Sequence, residues 1–249
     1  MSLTSGIGNE IIRLDDVTST NDYASKLLKS EEVHGTVVVA QHQTQGRGQR
    51  GNSWESKTGE NLLFSIILKP NFLRVQRQFL ISKVAALAVC DAISQVIPDI
   101  TIKWPNDIYT ANYKIAGILI ENSFSSEFLD TTIVGIGVNV NQSSFSDDLP
   151  NPTSILLKTG REHNRDALLV NICKAFEGRY TQLKLGNIHE LNVEYFNRLF
   201  RSQGFNHYSS QGENFMARIV GVRDSGEIVL ETPEGIQREF AFKEVCFAL

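Results

Sequence analysis

The sequence predicts an α+β fold: a mixed, mostly antiparallel sheet with helices, followed by a small β-module at the C-terminus. Strand-like and helix-like segments alternate irregularly as far as Phe200. The strand-like segments 100–104, 107–110, 113–121 and 131–138 are joined by links as short as Ala111-Asn112. Links of that length favour antiparallel neighbours, because a parallel crossover needs about a dozen residues or more. After Ser202-Gln203-Gly204 only short strands remain, which suits a small closed β-module.

In chain order, Thr18-Ser19-Thr20-Asn21 supplies helix-capping residue types, and Tyr23, Leu27 and Leu28 follow on one helical face. Thr36 to Ala40 is β-branched and apolar, a buried strand. A polar, Gly-rich stretch from Gln41 to Glu60 separates it from the apolar run Leu62 to Leu68. Residues 75–97 carry helical periodicity through Phe79, Leu80, Val84, Leu87, Ala88 and Val96. Two further helices are expected over 165–185 and 188–200. In the tail, strands are expected over Phe215–Val222, Glu227–Glu231 and Ile236–Phe242, with turns at Asp224-Ser225-Gly226 and Pro233-Glu234-Gly235. The expected domains are 1–203 and 204–249. No catalytic residue types cluster after Asn141, so the tail is expected to assist chemistry without carrying it.

Composition narrows the function. The chain has 249 residues, 41% hydrophobic and 21% charged, enough for a substantial core. No run of about 18 apolar residues is present, so no membrane span is expected. The first twenty residues carry Glu10, Arg13, Asp15 and Asp16 and lack an apolar centre, which argues against a secretory signal. Cys90, Cys173 and Cys246 are odd in number and widely spaced, as expected of reduced thiols in a cytoplasmic protein. The net charge of −4, without a dense basic block, argues against nucleic-acid binding. The five histidines make no pair at helical spacing and no cysteine joins them, which argues against a transition-metal site.

Gly46-Arg47-Gly48-Gln49-Arg50-Gly51 matches G-x-G-x-x-G by spacing but not by context. Polar residues separate it from the preceding strand, Asn52-Ser53-Trp54 follows in place of a helix, and no acid stands about twenty residues on. Two alternatives remain: an anion-binding nest with arginines for phosphate or carboxylate and Trp54 as a flat face, or a solvated surface loop. Lys103-Trp104-Pro105-Asn106-Asp107 puts a lysine at a strand end and an aspartate past a turn. ATP chemistry uses such a cation and carboxylate, and so does an ordinary surface ion pair. Lys114-Ile115-Ala116-Gly117 sets a lysine at the mouth of an apolar strand, with small residues that let a ligand approach or a plain snorkelling lysine. Gly135-Ile136-Gly137-Val138-Asn139 has two glycines in a strand and an asparagine at its end.

Taken together and in order, these segments resemble the biotin protein ligase family. Ser19-Thr20-Asn21, Gln43, the glycine-rich loop with Trp54, the KWPND segment, the K-x-A-G segment and Gly135 to Asn139 carry the resemblance, which covers roughly residues 15–245. It implies a class II synthetase-like α+β catalytic domain and an SH3-like C-terminal barrel. It implies substrates ATP and biotin with Mg²⁺, a biotinyl-5′-AMP intermediate, and transfer to a lysine of a biotin carboxyl carrier protein or the acceptor domain of a carboxylase.

The resemblance further implies roles for residues. Ser19, Thr20, Asn21 and Gln43 would hold the ureido head of biotin, with Gly48, Gln49 and Gly117 beside it. Arg47 and Lys114 would bridge carboxylate and phosphate, and Lys103 would stabilise charge on the α-phosphate. Trp54, Asn106 and Asn139, with Arg50, would meet the adenylate, and Asp107 would assist Mg²⁺ or the incoming amine. Gln49 stands where many members have a basic residue, so one contact to the adenylate is missing unless Arg50 supplies it. Bifunctional members carry an N-terminal DNA-binding winged helix, whereas this sequence reaches the catalytic motifs almost at once, so DNA binding is not expected. A homodimer stays open. A lipoate or octanoate ligase of the same fold is the alternative enzyme, a transcriptional repressor sensing biotinyl-AMP or a non-catalytic biotin binder the alternatives from other classes.

Overall fold

The computed structural model describes residues 6–28 and 33–248, apart from the side chain of Arg50. The outer limits of the two expected domains, residues 1 and 249, lie outside the described residues. A seven-stranded sheet has the order β1-β2-β3-β7-β6-β5-β4. Its strands are β1 (Ile11–Val17), β2 (Val37–Gln43), β3 (Leu62–Leu68), β4 (Ile100–Lys103), β5 (Asp107–Thr110), β6 (Tyr113–Ser125) and β7 (Phe128–Val138). Only β1 and β2 pair in parallel; their crossover contains α1 (Thr20–Leu27).

The central strands explain themselves. All of Leu62–Leu68 is buried between β2 and β7, which its nearly unbroken apolar run anticipates. The β5–β6 and β6–β7 turns put Ala111 (φ 51°) and Ser126 (φ 56°) in the left-handed region, which lets the links stay tight. Helix α2 (Phe79–Ile93) is shorter than the expected 75–97, a 3-10 turn occupying Val75–Arg77. It is apolar on nearly every face because it lies between the sheet and the helices α4 (Arg165–Lys184) and α5 (Ile188–Asn197). A short α3 (Ile155–Thr159) was not anticipated; Ser154 caps it by accepting from Leu157 N.

The C-terminal strands β8 (Asn206–Ser210), β9 (Glu213–Val222), β10 (Ile228–Glu231), β11 (Gln237–Phe240) and β12 (Cys246–Phe247) form one antiparallel sheet of order β11-β10-β9-β8-β12. This module docks on the main layer through the β9–β10 turn. Phe79 N donates to Asp224 O at 3.0 Å, and Trp104 Nε1 donates to Gly226 O at 2.9 Å. Trp104 also packs on Phe242, with ring centroids 5.6 Å apart. No helix among the described residues is long and apolar enough to cross a membrane.

Candidate functional site

One cavity of about 180 Å³ gathers residues from the α1 start, the end of β2, the glycine-rich loop, β5 to β7 and the C-terminal module. Ser19, Thr20, Asn21, Gln43, Arg47, Gly48, Gln49, Trp54, Asn106, Asp107, Lys114 and Gly117 all line it.

Its floor is a polar network. The expected capping role at the α1 start is not taken up: Ser19 is the N-cap by backbone but makes no side-chain cap bond. Instead Thr20 N and Oγ1 both donate to Gln43 Oε1, at 2.7 and 3.1 Å. Ser65 Oγ lies 2.7 Å from Thr20 Oγ1 and 2.6 Å from Asn21 Oδ1. Asn21 Nδ2 donates to Glu121 Oε2 at 2.7 Å. A network of this kind, buried at Thr20, Asn21 and Ser65, holds its members in one orientation, which suits recognition of a polar, uncharged head group. Sequence reasoning missed Ser65; its signal was a lone hydroxyl within the apolar run Leu62–Leu68.

The glycine-rich loop is folded, not loose. Trp54 N donates to Gly46 O at 2.9 Å and Gly48 N to Asn52 O at 2.7 Å. A Cβ at Gly46 would meet Trp54 O at 2.4 Å, so only glycine closes this turn. A 3-10 turn at Gln49–Gly51 follows, with no α-helix after it. Trp54 is carried onto the sheet, where its indole lies on the backbone of β6 and β7. A Cβ would come within 2.8 Å of the indole at Gly117 and 2.5 Å at Gly137, while at Gly135 it would meet Asn21 Oδ1 at 2.4 Å. These glycines give flat backbone on which planar groups rest. Trp54 Nε1 and Gln49 Oε1 are buried with no hydrogen-bond partner among the described residues.

Two of the lining cations, Arg47 and Lys114, are paired. Arg47 lies 2.7 Å from Asp22 and 3.0 Å from Glu121, and Lys114 Nζ lies 2.7 Å from Asp107 Oδ1. Neither Asp22 nor Glu121 had been anticipated. Lys114 Nζ also sits 5.6 Å from the Trp54 ring. Asn106 Nδ2 donates to Ile118 O at 2.8 Å, which fixes the turn before Asp107. A second cavity continues past Trp54 and Lys114 and is lined by Asn139, Phe145, Leu149, Pro150 and Pro152. The Asn139 amide there donates to Thr153 O at 2.9 Å.

Lys103 does not join the lining. It faces Asp107 across the β4–β5 ladder, but its Nζ lies 3.2 Å from Tyr109 Oη and 4.8 Å from that ring, with the Phe247 ring at 5.7 Å. Burial pulls its pKa below the ordinary lysine value; Asp107 opposes this, and Lys114 and Arg201 add to the lowering. The expected contribution of the Arg50 side chain lies outside the described residues. Phe242 and Lys243, which sequence reasoning had not singled out, reach the cavity from the C-terminal module.

Residues 13–139 match the model of the Biotin/lipoate A/B protein ligase family. The chain belongs to this family. That span holds every residue lining the first cavity except Phe242 and Lys243. The bifunctional ligase/repressor BirA of Bacillus subtilis is 31% identical over 242 residues, 96% of this chain and 74% of that protein. The biotin–[acetyl-CoA-carboxylase] ligase of Paracoccus denitrificans is 30% identical over 236 residues, 88% of this chain and 93% of that one. The biotin protein ligase from Aquifex aeolicus in complex with biotin and ATP superposes with a TM-score of 0.80 at 27% identity, covering 97% of this chain and all of that one. The family match lies within the main layer, and the likeness to the Aquifex structure extends over the C-terminal sheet as well.

Proposed function

We propose that this protein is an ATP-dependent biotin protein ligase, which makes biotinyl-5′-AMP and passes the biotinyl group to a lysine of a biotin carboxyl carrier domain. The observation that carries the reading is the junction of two chemistries in one cavity. A largely buried, uncharged polar network, Thr20–Gln43–Ser65–Asn21, lies beside two cations on separate elements, Arg47 and Lys114. A non-catalytic biotin binder would need the first without the second.

In the first step a carboxylate oxygen of biotin attacks the α-phosphorus of ATP. The bond from that phosphorus to the bridging oxygen breaks, and pyrophosphate leaves with the electron pair. Arg47 and Lys114 hold carboxylate and phosphate together, an arrangement that saves the entropy of bringing two anions into contact. Trp54 and the second cavity at Asn139 take the adenine side. In the second step the acceptor amine attacks the biotinyl carbonyl, the C–O bond to AMP breaks, and Asp107 is our candidate to accept the amine's proton. Lys103 acts on this centre from behind, through Asp107.

The residues do not build a resident Mg²⁺ site. Asp107 is committed to Lys114, and no three His, Cys, Asp or Glu residues converge among the described residues. Mg²⁺ would instead come with the phosphates of the nucleotide, whose charge it would offset. We also propose that residues 1–203 and 204–249 act as a catalytic domain and an assisting module. The test is mass spectrometry of a purified carrier domain after incubation with biotin, ATP and this protein. A gain of one biotinyl group on lysine is expected; a gain with lipoate but not biotin would reverse the substrate assignment.

A further inference from the structure

Among the described residues three cations line the main cavity, and their surroundings differ. Arg47 meets Asp22 and Glu121, and Lys114 meets Asp107. Lys243 has no ion pair among the described residues. It comes from the C-terminal module, just after β11, and its backbone is left-handed, with φ 71°. A left-handed residue with a side chain is conformationally costly where glycine is free, and it persists only when its surroundings fix it. They do so here. Glu244 N donates to Ala241 O at 3.1 Å, and Ala241 N donates to Glu244 Oε2 at 2.8 Å, closing the turn around Lys243. Phe242 is held against Trp104, whose indole is tied to Gly226. The turn is therefore clamped to the segment that carries Asn106 and Asp107, and Lys243 is presented at the cavity rim.

We propose that Lys243 binds the β- and γ-phosphates of ATP and the pyrophosphate they become. The proposal deepens the ligase reading and rests on it. The substrates bring a carboxylate and a triphosphate, whereas the carboxylates around Arg47 and Lys114 already offset those cations. An unpaired ammonium at the rim is, among the described side chains, the charge left for the outer phosphates, which project away from the reacting carboxylate. Pyrophosphate departs with an added electron pair, so an ammonium there also favours bond cleavage. Because Lys243 is exposed, its contribution is screened by salt.

The experiment uses the full chain and biotin-dependent ATP–pyrophosphate exchange, with pyrophosphate binding measured separately by calorimetry. Lys243→Ala is expected to raise the ATP KM and weaken pyrophosphate binding about five- to tenfold at low salt, as for loss of one charge-assisted contact. Both effects should shrink at high salt, Lys243→Glu should be worse, and Lys243→Arg should recover most of the loss. Biotin affinity should move less than about twofold. Transfer from preformed biotinyl-5′-AMP should be spared, because the adenylate no longer holds these phosphates. An unchanged ATP KM with unchanged pyrophosphate binding overturns the assignment, and so does an equal loss in transfer from preformed adenylate. Weakened pyrophosphate binding in the variant, with a parent silent in biotin-dependent exchange, would keep the phosphate site and discard the ligase reading.

Discussion

The ammonium of Lys83, in the second turn of α2, lies 3.1 Å from Oδ1 of Asp224 in the β9–β10 turn. It also donates to Asn192 Oδ1 at 2.7 Å and to Val222 O at 2.9 Å, and its side chain is only 1% exposed. Burial lowers its pKa, and Asp224 pulls the other way. A buried ammonium with three acceptors joins the main layer, α5 and the C-terminal module at one point.

Lys83→Met keeps the stem and removes the charge, which strands acceptors on two other elements. The expected loss is about 1–3 kcal/mol in a denaturant melt, the cost of leaving buried polar groups unpaired. Hydrogen exchange at Val222 to Asp224 should rise in the same variant. An unchanged midpoint would mean that water replaces the ammonium at no cost, and that the joint is held elsewhere.

The glycines of β7 give a sharper prediction about the site. Gly135→Ala places a methyl against Asn21 Oδ1, and Gly137→Ala places one against the Trp54 indole. Each is expected to weaken biotin binding at least about tenfold, since a misplaced polar group or ring in a packed site loses its contacts outright. Gly178, in α4, has nothing within 4 Å of a Cβ. Gly178→Ala should leave biotin affinity alone and stabilise the fold by about 0.4–1 kcal/mol. Titration calorimetry on the three variants separates the two cases, and equal affinities would remove the glycines' role as a ligand floor.

Much of the fold could be read because local patterns and tertiary context agree. Leu62–Leu68 is apolar and lies in the sheet centre; residues 107–110 and the start of β6 at Tyr113 follow from one tight turn. Strand β1 could not be read, because Asp15 and Asp16 interrupt its pattern and a sheet edge tolerates such residues. β12 is only two residues long, too short to carry a period. At the site, residue types were legible in motifs, but direction was not. The lysine of KWPND seemed to belong with the aspartate four residues later, yet it points at Tyr109 while that aspartate turns to Lys114. Ser65 and Lys243 sit far from those motifs in sequence, and only the sheet and the docked module bring them in.

His34 sets part of the acid limb of stability. Its Nδ1 accepts from Lys69 N at 3.1 Å and its ring lies 5.7 Å from Tyr180. Burial lowers its pKa below 6.5; Lys184 adds to this, Glu177 opposes it, and Lys69 adds a little. The unfolded chain therefore takes up the proton first as pH falls below 6.5, so stability drops until the folded pKa is passed and then levels. Denaturant melts between about pH 8 and pH 5 should show this limb, and His34→Gln should flatten it. A limb of equal slope in the variant would assign it to other groups.

The two lysines of the central motifs can be separated by one comparison. Lys114 lines the cavity, touches Asp107 and faces the Trp54 ring, whereas Lys103 is turned toward Tyr109 and Phe247. Charge that develops on the α-phosphate is stabilised by preorganised groups within hydrogen-bond reach, each worth roughly 10²–10³ in rate. Lys114→Met should therefore cost about that factor in single-turnover adenylation, with biotin affinity much less affected. Lys103→Met removes a charge that reaches the site only through Asp107, so its cost in rate should stay below about tenfold. Parallel single-turnover measurements on both variants decide the matter. Equal losses would mean that Lys103 swings into the cavity when the substrates bind, and that the arrangement around Tyr109 is a resting one.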